Sequence, residues 1–336
     1  MTGVLLIQLG TPDSPSVRDV RKYLSEFLND PRVIDIPYLL RKFLVNVIIV
    51  PFRAPKSAKL YKKLWTDKGS PLLFYSESLK EKVQVALGKN FEVELTMRYQ
   101  SPSMDIVLER MKKKGYERII ILPLFPQYAS ASSGSAIEKA LKIIKHWWVI
   151  PELKIINQFY NNEDYISSVV EQGKKYNPAE YDHILFSYHG LPVRQVDKVY
   201  TDGKPCDDQN CEIEINQFNQ YCYKAACYAT TRLLAEKLNI PKEKYTVCFQ
   251  SRLDKKWLEP FSDKVIIEHA KKGTKKLLVF SPAFVADCLE TIVEIGHDYS
   301  LLFKANGGSH LQLVESLNDN PLWVHAVKNM ILSQIN

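Results

Sequence analysis

The chain has 336 residues, 46% of them hydrophobic and 25% charged, which is an ordinary globular composition long enough for two packed cores. Its 45 Lys and Arg exceed 38 Asp and Glu by seven, giving +7. That excess comes in short clusters such as Lys112-Lys113-Lys114 and Lys275-Lys276 that read as solvated helix faces. No concentrated basic stripe points to nucleic acid, although a modest positive field suits a small anionic substrate.

Residues 3–9 form a short apolar run that ends at Gly10-Thr11-Pro12 with neither a basic leader nor a cleavage site. A cytoplasmic protein is expected, and in that reducing compartment the six cysteines are not expected to pair as structural disulfides. Residues 4–8 read as a buried parallel-type strand meeting a loop. Next, residues 34–52 are rich in Leu, Val, Ile and Phe and carry Arg41 and Lys42, with Pro37 and Pro51 too close together for a bilayer-spanning helix. The segment reads either as a core helix or as an exposed apolar lip that touches membrane or a flat hydrophobic ligand.

Strand-like runs follow at residues 118–125 (RIIILPLF), 183–188 (HILFSY) and 276–284 (KLLVFSPAF). The first and third share a Pro-x-Phe break before a helical pattern. Leu9-Gly10-Thr11-Pro12 also aligns with His189-Gly190-Leu191-Pro192. Two strand-to-loop signatures in the same order predict an internal duplication of an α/β unit. The expected fold is α/β, with two similar doubly wound domains, each a parallel sheet flanked by helices. The boundaries predicted are 1–158 for the first domain, with its lip at about 34–52, and 159–336 for the second. The second carries a cysteine-rich insertion at about 198–228, and the last helix packs back on the first domain. Sheets of this kind bind ligands beyond the carboxyl ends of their strands, so both Gly-x-Pro loops are expected at that edge.

His189 stands where a strand meets its Gly-x-Pro loop, able to accept a proton or hold a metal. Its counterpart in the first half is Leu9, so only one half carries an ionisable group there. Downstream, Asp287, Glu290 and Glu294 are spaced three and four apart, which on an α-helix places all three on one face. Such a stripe is either a solvated acidic face near a helix N-terminus or a set of oxygen ligands that holds a divalent iron loosely enough to release it. His146, His183, His269, His297, His310 and His325 show no metal-ligand spacing among themselves and read as structural or exposed. Cys206, Cys211, Cys222 and Cys227 form C-x4-C-x10-C-x4-C in a polar segment, a count that fits iron–sulfur ligation better than zinc or no metal. Cys248 and Cys288 read as buried hydrophobes.

The stretches Phe186-Ser187-Tyr188-His189-Gly190-Leu191-Pro192 and Phe284-Val285-Ala286-Asp287-Cys288-Leu289-Glu290-Thr291 resemble the two metal-facing motifs of ferrochelatases. The likeness runs over nearly the whole chain. Gln8-Leu9-Gly10-Thr11-Pro12, Lys68-Gly69-Ser70-Pro71-Leu72, Met97-Arg98-Tyr99, Pro123-Leu124-Phe125-Pro126-Gln127-Tyr128 and Gln250-Ser251-Arg252 with Trp257 all stand in family order. The resemblance implies a chelatase-like duplicated fold around a porphyrin cleft, with His189 and Glu290 facing each other across the metal path. It implies a lyase that inserts ferrous iron into protoporphyrin IX to form protohaem, the terminal step of haem biosynthesis. Asp287 and Glu294 are the expected acidic relay. Leu9, Tyr128 and Trp257 are the expected porphyrin wall, with Arg98 and Ser70 fixing propionates or the loops around them.

Some bacterial ferrochelatases are similar in carrying a [2Fe–2S] cluster on closely spaced internal cysteines, and many relatives lack the insertion. The apolar lip favours protoporphyrin over coproporphyrin, whose two extra carboxylates suit it less, and implies peripheral contact with the inner face of the membrane. Rival readings are a cobalt or nickel chelatase of the same fold, a two-domain anion-binding protein and an iron–sulfur oxidoreductase; the sequence leaves oligomeric state open.

Overall fold

The computed structural model describes residues 1–201 and 203–335. The chain forms two compact units: one comprises Met1–Phe125, Ser130–Gln158 and Asn318–Asn336, the other Pro126–Ala129 and Phe159–Leu317.

In the first unit, β1 (Thr2–Gly10), β2 (Phe91–Tyr99), β3 (Arg118–Pro123) and β4 (Glu152–Ile155) make a parallel sheet of order β2-β1-β3-β4. Val4, Leu5, Leu6 and Ile7 of the central β1 are fully buried, as expected of a strand covered by helices on both faces. Leu5 and Ile7 pack with Met104, Val107, Leu108 and Met111 of the helix Met104–Lys114 and with Ala136, Ala140 and Ile144 of the helix Ser135–Ile144. Met104–Lys114 begins under a Ser103 side-chain cap and ends at Gly115, whose φ of 63° lies in the left-handed region.

In the second unit, β5 (His183–His189), β6 (Tyr245–Gln250), β7 (Lys276–Phe280) and β8 (His310–Leu313) are again parallel, in the order β6-β5-β7-β8. Each sheet therefore sets its first strand between its second and third. This shared order is the duplication expected from the repeated loops. Leu185, Leu277 and Val279 pack with Val265, Ile266, Ile295 and Phe303 on one face of the second sheet.

Both halves also share a departure from regular helix. After β3 comes a π-helical turn, Ser130–Gly134, leading into Ser135–Ile144; after β7 comes the longer π-helix Leu289–Tyr299, leading into Ser300–Ala305. Wider i→i+5 turns are rare and cluster at functional sites.

The apolar segment at 34–52 belongs to a helical arm built from Tyr38–Phe43, the π-helix Leu44–Ile49 and Val50–Leu64. Its inner face, including Val45, Val50, Ala54 and Ala58, is buried, and Tyr61 meets Tyr23 of the helix Val17–Leu28 edge-on at 6.2 Å. Its outer face is exposed and greasy: Leu39 is 80% and Phe52 74% exposed, and Tyr38, Leu40, Phe43 and Val47 are also exposed. Between the two readings, the segment is an exposed arm rather than a core helix. Arg41 points inward, where its guanidinium donates to the carbonyl of Ile36 at 2.8 Å. Among the described residues no helix is long and apolar enough to cross a membrane.

Candidate active site

His189 is the last residue of β5, paired in register with Gln250 at the end of β6. The strand pair closes there because Gly190 N–H donates to the Gln250 carbonyl at 2.8 Å. That approach requires glycine, since a Cβ on Gly190 would sit 2.8 Å from the same oxygen. The half-buried imidazole has Nδ1 2.6 Å from the Gly190 carbonyl. A carbonyl can only accept, so Nδ1 carries the proton and Nε2 keeps its lone pair, the form that binds a metal or takes a proton.

Trp257 and Phe284 flank the ring, each with centroids 6.4 Å from it. Trp257 is held there by a short pairing of the loop after β5 with residues 256–258: Val193 N–H donates to Lys256 at 3.0 Å and Leu258 N–H to Leu191 at 2.9 Å.

Glu290 is the second residue of the π-helix Leu289–Tyr299, which starts at Cys288 in an extended conformation (φ −148°, ψ −171°). Gln250 reaches this helix from β6. Its side-chain amide donates to the Glu290 carbonyl at 3.3 Å and to Glu294 Oε2 at 3.4 Å, while its own oxygen accepts from Ser187 at 2.8 Å. The Glu294 carboxylate also accepts from Ser251 N–H at 2.9 Å, Ser251 Oγ at 2.5 Å and Tyr299 Oη at 3.0 Å. Burial, reinforced by the Glu294 charge, pushes the Tyr299 phenol far above its usual range, so it remains a donor.

The three-carboxylate stripe needs correction. Asp287 precedes the extended Cys288 and so lies outside the helix that carries Glu290 and Glu294. It is buried, and its Oδ1 accepts from Thr291 Oγ1 at 3.1 Å and from Ser316 N–H at 3.4 Å. Asp287 thus anchors the loop before the π-helix instead of extending the acidic face.

The cysteine quartet also needs correction. The Sγ atoms of Cys206, Cys211 and Cys222 lie 3.4–3.6 Å apart, all three buried, and form a trio of metal-ligating geometry. Hydrogen bonds from Cys206 and then Cys211 pull the Cys222 thiol well below its usual range. Tyr200 Oη lies 2.9 Å from Cys211 Sγ. Cys227 is not part of the trio. Cys222 is the N-cap of the helix Tyr223–Lys237, and five residues on, more than a turn, Cys227 interacts with the Tyr223 hydroxyl. Cys248 and Cys288 are buried, as expected of small hydrophobes.

Tyr128 belongs to the same unit, half-buried and edge-on to Tyr221 at 6.0 Å. The remaining wall candidates belong to the first unit. Leu9 is half-buried at the end of β1. Arg98 is engaged with buried Asp30 through Nη2 and donates to Ser135 Oγ from Nε at 2.6 Å, and Ser70 accepts from Thr11 at 2.9 Å. Both hold loops. Gln250, Ser251 and Tyr299 were not singled out as site residues from sequence; the only signal was the Gln250-Ser251-Arg252 run itself.

A family profile described as ferrochelatase matches residues 1–335. The chain belongs to the ferrochelatase family. It is an enzyme that inserts iron into protoporphyrin for haem synthesis. It is 45% identical over 330 residues to a ferrochelatase of Coxiella burnetii (strain Dugway 5J108-111), covering 98% of this chain and 92% of that protein. It is 44% identical over 337 residues to a ferrochelatase of Legionella pneumophila (strain Corby), covering 99% of each. Among solved structures, SirB from Bacillus subtilis with Fe3+ aligns with a TM-score of 0.58 at 12% identity, over 99% of this ferrochelatase chain and 94% of that one. CbiX, described as the terminal enzyme for biosynthesis of sirohaem in denitrifying bacteria, aligns with a TM-score of 0.51 at 12% identity, over 99% of this chain and all of that one. At those identities the likeness is one of fold: two four-stranded parallel sheets flanked by helices, the duplicated chelatase architecture.

Proposed function

We propose that His189 and Glu290 divide the work of iron insertion. Converting a free-base porphyrin and Fe2+ to haem releases two pyrrole protons. His189 Nε2 accepts one, because its Nδ1 proton is committed to the Gly190 carbonyl at 2.6 Å; this single contact carries the reading. Glu290 meets the iron as it sheds water and takes the second proton. Glu294 holds the π-helix to β6 through Ser251 and Gln250 and supplies negative charge behind Glu290. Trp257 and Tyr128 form porphyrin wall in the second unit, while Arg98 and Ser70 of the first unit fix loops rather than propionates. The enzyme is a lyase. The test is to substitute His189 and Glu290 singly and to measure porphyrin binding and haem formation separately.

The buried thiol trio supports a soft-metal site. Its occupant in this reading is a [2Fe–2S] cluster with Cys206, Cys211 and Cys222 among its ligands. Metal insertion transfers no electrons, so the cluster contributes structure or redox sensing. A brown protein with visible absorption after anaerobic purification supports it; a colourless protein with stoichiometric zinc contradicts it.

The exposed arm around Leu39 and Phe52, with Lys42 on its border, supports peripheral docking on the cytoplasmic face of a membrane, from which a hydrophobic porphyrin is delivered. Vesicle co-sedimentation tests it.

A further inference from the structure

The peptide group joining His189 to Gly190 is held from both sides. Its N–H donates to Gln250, and its carbonyl accepts from the Tyr223 hydroxyl at 2.9 Å. The next carbonyl along, that of Gly190, is the acceptor that fixes His189 Nδ1. Without a Cβ, glycine turns readily, so the imidazole acceptor stays in place only if the preceding peptide plane is restrained from outside.

Tyr223 supplies half of that restraint. It is buried at 7% exposed, and its hydroxyl donates to the His189 carbonyl. It is also the first residue of the helix Tyr223–Lys237, directly after Cys222 of the thiol trio. One turn on, Cys227 interacts with the same hydroxyl. Lys224, the next residue, ties the helix back to the cysteine segment through Asp207 at 3.1 Å and Glu212 at 2.9 Å. Farther along, Thr231 bonds Tyr188, the neighbour of His189, at 2.8 Å.

We propose that Tyr223 is a positioning residue for His189, through which the orientation of the catalytic imidazole depends on what the thiol site holds. The second half of this statement rests on the trio being a metal site. Binding at Cys206, Cys211 and Cys222 fixes the start of the helix, and the start of the helix fixes the Tyr223 hydroxyl under the His189 carbonyl.

The test compares full-length wild type with Tyr223→Phe, each as isolated and after the thiol site is stripped with chelator under reducing conditions. Metal content, hydrogen exchange and steady-state kinetics are read on every sample. A peptide spanning residues 104–114 of the first unit serves as a control for global folding. Tyr223→Phe is expected to keep its metal and its porphyrin KM, lose roughly ten- to a hundredfold in kcat, and exchange faster in the peptide spanning residues 186–192. Stripping wild type should speed exchange in that same peptide, whereas stripping Tyr223→Phe should add nothing there. Wild-type exchange and kcat in Tyr223→Phe would overturn the positioning role. Equal, additive effects of stripping in both proteins would overturn the link to the thiol site. Absence of metal from every preparation would refute the trio as a metal site and with it the link, leaving the kinetics of Tyr223→Phe to decide the positioning role alone.

Discussion

Gln250 donates from its side chain to the backbone carbonyl of Glu290 at 3.3 Å, so the strand partner of His189 also holds the first turn of the helix that presents the carboxylate. One buried amide thereby spaces the two groups proposed to share the chemistry. Gln250→Met keeps the volume but removes both donors and the acceptor used by Ser187. The expected result is a roughly tenfold fall in kcat with porphyrin affinity unchanged, and a loss of about 1–3 kcal/mol of stability from the orphaned partners. Steady-state kinetics and urea denaturation check it.

Arg98 gives a contrasting expectation. Asp30 is buried and collects Arg98, the Tyr99 hydroxyl at 2.9 Å, Ser135 Oγ and Arg32 N–H at 2.7 Å. Asp30→Ala strands the guanidinium and should cost about 3–5 kcal/mol in denaturant unfolding. In the folded fraction of Asp30→Ala and of Arg98→Met, porphyrin affinity by fluorescence titration should stay near wild type. A tenfold weakening confined to Arg98→Met would return Arg98 to the propionates.

The imidazoles of His183 and His269 stack at 4.0 Å, and His183 bonds Thr246 at 2.9 Å. Burial, with the neighbouring His269 adding to it, lowers His183 from 6.5 to about 4. Between those values the unfolded chain binds a proton that the folded chain does not, so this group's contribution is intact above pH 6.5 and is lost as pH falls towards 4. The thermal midpoint should therefore drop from pH 7 to pH 5 by more in wild type than in His183→Asn. Parallel profiles would contradict this.

The exposed arm is tested by charge. Leu39→Asp with Phe52→Asp places two carboxylates on side chains that are 80% and 74% exposed, where the cost to folding is small. Binding to anionic vesicles should fall severalfold in co-sedimentation, while turnover with detergent-dispersed porphyrin stays near wild type.

Much of the fold was legible because the central strands β1 and β5 are covered on both faces and read as unbroken apolar runs, and because their closing loops repeat. The edge strands β4 and β8 are four residues each and carry too little pattern to read. His189 was legible as the one ionisable residue at a repeated strand end. Gln250 was not, since its role comes from the pairing of β6 with β5, and strand order is not written in local sequence. Asp287 was misread because α-helical spacing was assumed where an extended Cys288 and a π-helix intervene. Cys227 was grouped with the others by count, whereas its helix turns its thiol to Tyr223. Whether residues 34–52 lay inside or outside could not be read from apolar content alone.

The most direct test is haem formation by His189→Ala. Protein, protoporphyrin IX and ferrous iron are mixed anaerobically, and porphyrin binding is measured in the same samples before iron is added. The account predicts porphyrin affinity near wild type and haem formation slowed at least a hundredfold, as loss of a positioned general base requires. Turnover within a few fold of wild type, with porphyrin bound equally well, would contradict it and move the proton acceptor to another group.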